Sequence, residues 1–198
     1  MDIITACQKI ADKGLVAGAS GNLSERAGRT FHITASGMRL DSVMDESAAL
    51  TCSIDSDDIP AGASRETRMH RAIYRQRPDI GAVIHANPQF STLYACSGEL
   101  SIDTSLIPEG VLLDPVCRVT AYPAGSVELA DAVGSAARNS NVLVLRNHGV
   151  VTAGSNMEEA LNRMEYLELI CRIIFTARSA GIWLGEGAVS GYIGNKHF

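Results

Sequence analysis

Apolar residues recur at helical spacing in five segments of the chain. In the first segment they lie three or four positions apart and predict a helix over residues 2–13, which Gly14 ends. The same spacing predicts helices over residues 64–77, 89–97, 126–138 and 156–180. Ser64 is a suitable N-cap for the second helix, and Pro78 ends it because proline cannot continue the helical hydrogen bonds.

Short runs of β-branched and aliphatic residues between these helices predict six strands. They are residues 31–34, 49–54, 82–85, 115–120, 141–146 and 150–152. The segment LVAGASGNLSER at 15–26 is rich in glycine and serine, so we predict a turn followed by a polar loop there. Strands and helices interleave without the regular βαβ rhythm of a Rossmann domain, and no linker divides the chain. The pattern therefore predicts a single domain over residues 1–198.

The composition excludes some classes of partner. Hydrophobic residues make up 46% and charged residues 20% of the 198 residues, and the net charge is −5. These values are ordinary for a globular chain, and no basic stripe predicts a nucleic-acid partner. The densest basic stretch is a group of arginines between residues 65 and 77. Three interpretations of this stretch remain: a solvated face, a subunit contact, or part of a site for an anionic ligand.

Cysteine usage and the N-terminus predict the compartment. Five cysteines without a CxxC spacing argue against a disulfide framework. The N-terminal MDIITACQKIADKG has an acidic residue at position 2 and no long apolar run, so we predict no signal peptide. No segment reaches the ~20 apolar residues that a membrane span needs. We therefore expect a cytoplasmic protein with no membrane partner.

Two of the histidines stand at the ends of predicted strands. His85 closes the strand in VIHAN, and His148 follows the next clear strand in RNHG. Imidazoles at strand ends are a common basis for metal sites, because strands hold ligands rigidly. Two polar residues that simply end strands explain the pattern as well, since no HxH or HExxH motif is present.

Other polar residues are candidates for catalysis and anion binding. Glu66 lies near the start of a predicted helix, four positions before His70 on the same face. It is either an acid stabilised by the helix dipole or a general base or metal ligand. The segments GASGNLS at 18–24 and TASG at 34–37 offer N–H, hydroxyl and amide groups to a phosphate, or they form ordinary turns. No nucleotide-binding glycine motif is present.

Four segments, in this order along the chain, together resemble the class II aldolase and adducin head family. They are GNLSER at 21–26, ITASGM at 33–38, SRETRMHRAIYRQRPDIGAVIHA at 64–86 and LRNHGVVTAGSNMEEALNRMEYLE at 145–168. Each motif is weak alone, but together they span most of residues 1–178. The resemblance implies an α/β fold with three α/β/α layers around a central, mainly antiparallel sheet.

The resemblance assigns roles to individual residues. His85 and His148 match two of the three histidines that hold a divalent cation in the family. Zinc is the expected ion, with manganese or cobalt as alternatives. Glu66 matches the family's catalytic acid–base, which can also lie against the metal. The neighbourhood that holds the substrate phosphate corresponds to Gly21, Asn22, Ser36, Gly37, Ser64 and Arg65. Arg65 replaces a small hydroxyl residue often found there and adds a cation.

The chain departs from the family pattern at two positions. Asn87 stands where the remaining metal-binding histidine would be, and an amide oxygen is a harder and weaker zinc ligand than imidazole. Asn87 either ligates weakly, or is silent while Glu66 or water completes the shell, or marks the loss of the metal. The tyrosine that the aldolases use as general acid falls by spacing on Ala121, so the adjacent Tyr122 is our candidate.

The resemblance implies a metal-dependent lyase that cleaves a C–C bond in a small phosphorylated ketose. The reaction would be a retro-aldol cleavage through a metal-stabilised enediolate. Alternatives on the same scaffold are an epimerase, a dehydratase or a decarboxylase, and a further alternative is a non-catalytic, adducin-like binding module with a degraded metal site. The family forms tetramers, so we expect a homo-oligomer. Residues 181–198 are a candidate flexible tail or flap, with Tyr192 and His197 as its candidate contacts.

Overall fold

The protein forms a seven-stranded sheet with helices on both faces. The computed structural model describes residues 1–43, 45–98, 102–113 and 115–184. The predicted tail therefore lies mostly outside the described residues, and so do its candidate contacts Tyr192 and His197. Across the ranges that are described, we find no helix with the length and apolar character needed to cross a membrane.

The described residues include five α-helices, and all five agree with the sequence prediction. They are α1 (Ile3–Asp12), α2 (Thr67–Gln76), α3 (Gln89–Cys96), α4 (Val127–Ala137) and α5 (Met157–Ser179). Short 3₁₀ segments are formed by Leu40–Ser42, Glu46–Ala48, Thr104–Leu106 and Pro108–Leu113. The side chains of Asp2, Ser126 and Asn156 accept from backbone N–H groups in the first turns of α1, α4 and α5. These caps fix where the three helices begin.

The strands confirm the six predicted ones and add a seventh. They are β1 (Asn22–Ala27), β2 (Thr30–Thr34), β3 (Ala49–Ser53), β4 (Ala82–Ala86), β5 (Val116–Val119), β6 (Val142–Leu145) and β7 (Gly149–Gly154). The prediction of a polar loop over 15–26 is wrong for β1. Polar residues occupy this strand because Asn22, Ser24 and Arg26 form hydrogen bonds to α2 and the loop that follows it.

The strand order places β4 in the centre of the sheet. The order is β3-β2-β1-β4-β7-β6-β5, and every neighbouring pair is antiparallel except β5 and β6. This confirms the predicted, mainly antiparallel sheet. All five residues of β4 are buried. His85 is paired with Asn22 of β1 on one side and with Val151 of β7 on the other.

Two hydrophobic cores, one on each face of the sheet, produce the three layers. One core joins α1, α3 and α5 to the face that carries Ala82, Ile84 and Ala86. The other joins α2 and α4 to the opposite face, which includes Val83. Because side chains alternate along a strand, His85 projects on the same face as Val83. The central strand therefore directs this histidine towards the layer that contains α2.

The basic stretch on α2 is not a uniform solvated face. Arg71 is 2% exposed, and its guanidinium donates to the backbone carbonyls of Ser53, Asp57 and Asp58. Buried carbonyls need such donors, so Arg71 holds the loop after β3 against α2. Arg65, at the other end of the stretch, lines a cavity.

Candidate active site

Glu66, His85 and His148 converge although they come from three separate parts of the fold. Glu66 is the N-cap residue of α2, His85 lies on β4, and His148 lies in the turn between β6 and β7. Each offers one ligand atom, and these atoms all lie within 4.8 Å of one another. Among the residues that the structure describes, this is the group of acidic, histidine or cysteine side chains arranged to hold a metal ion.

His85 is held in its neutral form. Its Nδ1 lies 3.0 Å from the Val150 carbonyl oxygen on β7, and a carbonyl can only accept, so Nδ1 carries the proton. Burial and then the nearby His148 lower the pKa of His85 to about 3. At neutral pH its Nε2 therefore has a free lone pair. A backbone carbonyl bonded to the other ring nitrogen is the usual way proteins orient a metal-binding histidine.

A tight turn presents His148 to His85. Asn147, just before it, has φ 56°, the single positive value among the described non-glycine residues. The backbone N–H of Asn147 donates to the Ala95 carbonyl, and that of His148 donates to the Leu145 carbonyl. The two imidazole rings lie edge to face with centroids 4.8 Å apart. The turn thus holds the half-buried His148 ring directly beside the buried one.

Asn87 contacts the same turn. Its Nδ2 donates to the backbone carbonyl oxygen of His148 at 2.5 Å. This bond leaves Oδ1 as the side-chain atom that accepts no hydrogen bond from any residue in the described ranges. Gly149 makes the approach possible, because a Cβ at this position would lie 2.4 Å from Asn87 Nδ2 and 2.7 Å from the Ala86 oxygen.

Glu66 is buried without a full set of partners. It is 6% exposed, and its Oε2 is buried and accepts no hydrogen bond from the described residues. Burial raises the pKa of the Glu66 carboxyl, while the charge of His148 and the Gly125 backbone N–H oppose the rise. A buried oxygen without a donor is energetically unfavourable. A cation or a protonated substrate group at this point would satisfy it, so the donor set fits a divalent cation.

One cavity of about 550 Å³ brings the predicted site residues together. Those that line it are Gly21, Asn22, Ser36, Gly37, Ser64, Arg65, Glu66, His85, Asn87 and His148. The wall of this cavity thus carries the candidate metal ligands together with hydroxyl, amide and guanidinium groups. Its size suits a small organic ligand.

Close backbone packing shapes the wall of this cavity around Gly21. A Cβ at Gly21 would lie 2.7 Å from Val16 Cγ1 and 3.0 Å from the His85 carbonyl oxygen, and φ here is 82°. Ser36 donates its backbone N–H to the Gly62 carbonyl, so its hydroxyl is the group that remains available. Arg65 is exposed, and within the described residues its guanidinium has no acidic partner. A free cation at the cavity wall favours an anionic ligand.

Tyr122 does not lie in this cavity. It is 39% exposed and lines an adjoining cavity of about 410 Å³ with Arg146 and Asn147. His148 and Ala124 line both cavities, so Tyr122 lies on the side of the main cavity where the candidate metal ligand His148 stands. Tyr122 therefore lies next to the main cavity but does not line it.

His70 contacts Asn22 of the cavity wall, and its spacing from Glu66 in the sequence does not predict this contact. The structure buries this histidine completely, with its two ring nitrogens at hydrogen-bond distance from Asn22 and Ser24. A sequence pattern could have indicated this contact. Asn22 and Ser24 lie two positions apart on β1, and they face His70 and Tyr74, which lie four positions apart on α2. Interpreting residues 15–26 as a loop hid that alternation.

Comparison with known proteins agrees with this architecture. The family model for the class II aldolase and adducin N-terminal domain matches residues 1–175. The L-fuculose phosphate aldolase of Methanocaldococcus jannaschii is 34% identical over 167 residues, covering 83% of this chain and 89% of the relative. The 3-oxo-tetronate 4-phosphate decarboxylase of Haemophilus influenzae is 25% identical, covering 86% of this chain and 84% of the relative.

A solved structure shows the same fold. The L-fuculose-1-phosphate aldolase from Thermus thermophilus superposes with a TM-score of 0.79 at 25% identity, covering 91% of this chain and 95% of that chain. The match extends over nearly all of both chains. The chain therefore belongs to the class II aldolase and adducin family, as an aldolase-like enzyme.

Proposed function

We propose that the protein is a metal-dependent lyase that cleaves a C–C bond of a small phosphorylated ketose by a retro-aldol reaction. The convergence of Glu66, His85 and His148 within 4.8 Å, at the wall of a cavity with phosphate-binding groups, carries the proposal. A retro-aldol cleavage needs stabilisation of charge on the ketone oxygen, proton transfers at the two separating fragments, and a firm hold on the phosphate. The chain offers residues for each of these needs.

The residues that would hold the cation are His85, His148 and Glu66, with Asn87 Oδ1 as a weaker donor. His85 Nε2 is unprotonated, and Glu66 Oε2 lacks a donor, so two of the ligand atoms are already prepared. A divalent cation there would stabilise the negative charge that forms on the ketone oxygen, an effect worth several kcal/mol. Nitrogen and carboxylate ligands favour zinc, with manganese or cobalt as substitutes.

Glu66 is our candidate for the proton transfer at the carbon that stays with the ketone. When the C–C bond breaks, that carbon keeps the electron pair and must gain a proton. Burial raises the pKa of Glu66, which prepares its carboxyl to carry a proton nearer neutral pH.

The second proton comes from the hydroxyl that becomes the aldehyde. In cleavage a general base takes this proton, and in the reverse, synthetic direction the same group returns it. Tyr122 is the candidate because it lines the adjoining cavity and both cavities share His148. A substrate that extends from the phosphate-binding groups past His148 would bring its far end to this tyrosine.

The phosphate of the substrate would bind Asn22, the Ser36 and Ser64 hydroxyls and Arg65, beside Gly21 and Gly37. Binding energy from this remote group positions the bond that breaks. We also propose a cytoplasmic homotetramer, as the family resemblance implies. Light scattering coupled to size-exclusion chromatography would test the oligomeric state, and a monomer at micromolar concentration would contradict it.

Arg146 supports a second candidate function, decarboxylation of a sugar-acid phosphate. This exposed arginine lines the adjoining cavity, and no residue in the described ranges pairs with its guanidinium. A carboxylate at the end of the substrate remote from the phosphate would find this cation there. The Haemophilus influenzae relative is a decarboxylase of this class.

The test is a set of phosphorylated ketoses and sugar-acid phosphates offered to protein loaded with zinc, manganese or cobalt. Metal-dependent formation of an aldehyde and a ketone phosphate would support the lyase. Release of carbon dioxide would favour the decarboxylase instead. A protein that binds none of the three metals and turns over none of these substrates would support the binding-module alternative.

A further inference from the structure

A chain of hydrogen bonds runs from the interior of the fold to the cavity. The Tyr74 hydroxyl lies 2.8 Å from Ser24 Oγ, which lies 2.6 Å from His70 Nδ1. The other ring nitrogen of His70, Nε2, lies 2.7 Å from Asn22 Oδ1. Asn22 and Ser24 project from the same face of β1, and His70 and Tyr74 lie one turn apart on α2. These hydrogen bonds therefore join the central sheet to the helix that begins beside Glu66.

Only one end of this chain reaches the cavity. Ser24 and His70 are completely buried, and Tyr74 is 2% exposed. Asn22 is 8% exposed and lines the cavity wall. Polar groups this deeply buried need partners, and each of the three interior members has one. The arrangement is thus a closed interior network with a single amide presented at the site.

The direction of each hydrogen bond follows from the acceptor at the cavity end. Asn22 Oδ1 can only accept, so His70 Nε2 carries the proton and donates. Burial and then His85 lower the pKa of His70 to about 3, so the ring is neutral and Nδ1 is an acceptor. Ser24 then donates its hydroxyl proton to Nδ1, and the Tyr74 hydroxyl donates to Ser24 Oγ.

The direction of these hydrogen bonds determines which atom of the Asn22 amide faces the cavity. With Oδ1 held by His70, Nδ2 is the amide atom left for a ligand, and none of the described residues accepts a hydrogen bond from it. An asparagine freed from this contact could turn its amide by half a rotation. It would then present an oxygen, which repels an anionic oxygen rather than donating to it.

We propose that His70 is a positioning residue that fixes the Asn22 amide with its N–H groups directed at the phosphate of the substrate. His70 does not touch the substrate in this proposal and acts only through Asn22. Ser24 and Tyr74 support it by keeping the proton on Nε2. This role of His70 rests on the proposed function, because it requires a substrate phosphate in this part of the cavity. It does not depend on which bond the enzyme breaks.

Inorganic phosphate is therefore the probe, with its dissociation constant measured by calorimetry on the metal-loaded protein in the absence of turnover. We expect Asn22→Ala and His70→Leu each to weaken phosphate binding about tenfold. His70→Gln should recover part of the loss, because its amide can donate to Asn22 Oδ1. Thr152→Val is the matched control, since it removes another buried hydrogen bond, to the Ala160 carbonyl, on the opposite face of the sheet.

The double variant separates positioning from general support of the fold. If His70 acts through Asn22, adding His70→Leu to Asn22→Ala causes no further loss of phosphate affinity. An equal loss in both backgrounds, an unchanged affinity in His70→Leu, or wild-type protein that does not bind phosphate would each overturn the proposal. A chain that binds phosphate with this pattern and cleaves no ketose would contradict the proposed reaction while sustaining the role of His70.

Ser24→Ala provides a second test that keeps the fold more nearly intact. Without the serine donor, His70 is free to move its proton to Nδ1. Nitrogen chemical shifts of the imidazole report the tautomer directly. We expect the wild type to carry the proton on Nε2 and Ser24→Ala to show a mixture together with weaker phosphate binding. A proton on Nδ1 in the wild type would overturn the proposal.

Discussion

The amide nitrogen of Asn87 lies 2.5 Å from the backbone carbonyl oxygen of His148. Asn87, which stands where a histidine is expected, therefore has a structural role. It links the end of β4 to the turn that carries the candidate metal ligand His148. This contact fixes the orientation of its amide and leaves Oδ1 as its remaining acceptor. The proposed cation would thus have two imidazoles, one carboxylate and one amide oxygen as its nearest donors.

Asn87→His should raise zinc affinity if this side chain faces the cation, because imidazole is a better zinc ligand than an amide oxygen. We expect a gain of at least about tenfold, ~1.4 kcal/mol, measured by competition with a chromophoric chelator. Asn87→Ala is the matched comparison and should weaken binding. Zinc affinity that is the same in all three proteins would show that position 87 does not face the ion.

Glu66→Gln should abolish turnover and also weaken zinc binding, because it removes the carboxylate from the proposed cation ligands. The amide keeps the size of the carboxyl but cannot carry the proton, and loss of a general acid–base typically lowers rates by about 10²–10⁴-fold. Glu158→Gln is the control, because Glu158 is exposed in the first turn of α5. The rate constant kcat and the zinc dissociation constant are the two measurements. Wild-type turnover in Glu66→Gln would remove Glu66 from the chemistry.

Gly149→Ala should damage both stability and metal binding. The added Cβ would lie 2.4 Å from Asn87 Nδ2 and 2.7 Å from the Ala86 oxygen, so backbone or side chain must shift. Overpacking of this kind typically destabilises by about 1–3 kcal/mol. At Gly98 an added Cβ meets no atom within 4 Å, so Gly98→Ala is the control. Urea unfolding and zinc titration should separate the two variants, and equal behaviour would contradict the close packing at Gly149.

Acidification should destabilise the protein through its buried histidines. In the folded chain the pKa of His70 is lowered to about 3, against about 6.5 in an unfolded chain. Between these values the unfolded chain binds more protons, so the free energy of unfolding decreases as pH falls from 6.5 towards 3. His70 alone contributes about 1.4 kcal/mol per pH unit in this window. Above pH 6.5 its contribution no longer changes.

The variant His70→Gln isolates this contribution. Urea unfolding of the variant and of the wild type at pH 7, 6 and 5 would give the two slopes. We expect the slope of the variant to be shallower by about one proton below pH 6.5. Parallel slopes would mean that His70 titrates normally in the folded protein.

Most helices and strands could be predicted from local pattern, because their residues obey the periodicity of the elements they form. β1 could not, since two of its three buried residues, Asn22 and Ser24, are polar and form hydrogen bonds to His70 of α2. The candidate ligands His85 and His148 had no motif of their own in this chain. They were recognised only because several weak segments together resemble one family.

The orientation of individual side-chain groups could not be predicted from the sequence. Nothing near Asn87 in the chain indicates that its amide nitrogen bonds to the His148 carbonyl, because β7 brings that turn beside β4 only in the folded sheet. The place of Tyr122 in an adjoining cavity is likewise a result of how two loops pack.

The sequence by itself determined most of the elements, the family and the identity of the candidate ligands, because periodicity and residue type are properties of neighbours along the chain. Tertiary structure decided which nitrogen of His85 is free, that Glu66 retains an oxygen without a donor, and which way the Asn22 amide faces. These depend on distances between groups far apart in the chain. Hydrogen bonds and desolvation act over a few ångströms, so only the folded arrangement of strands and helices sets them.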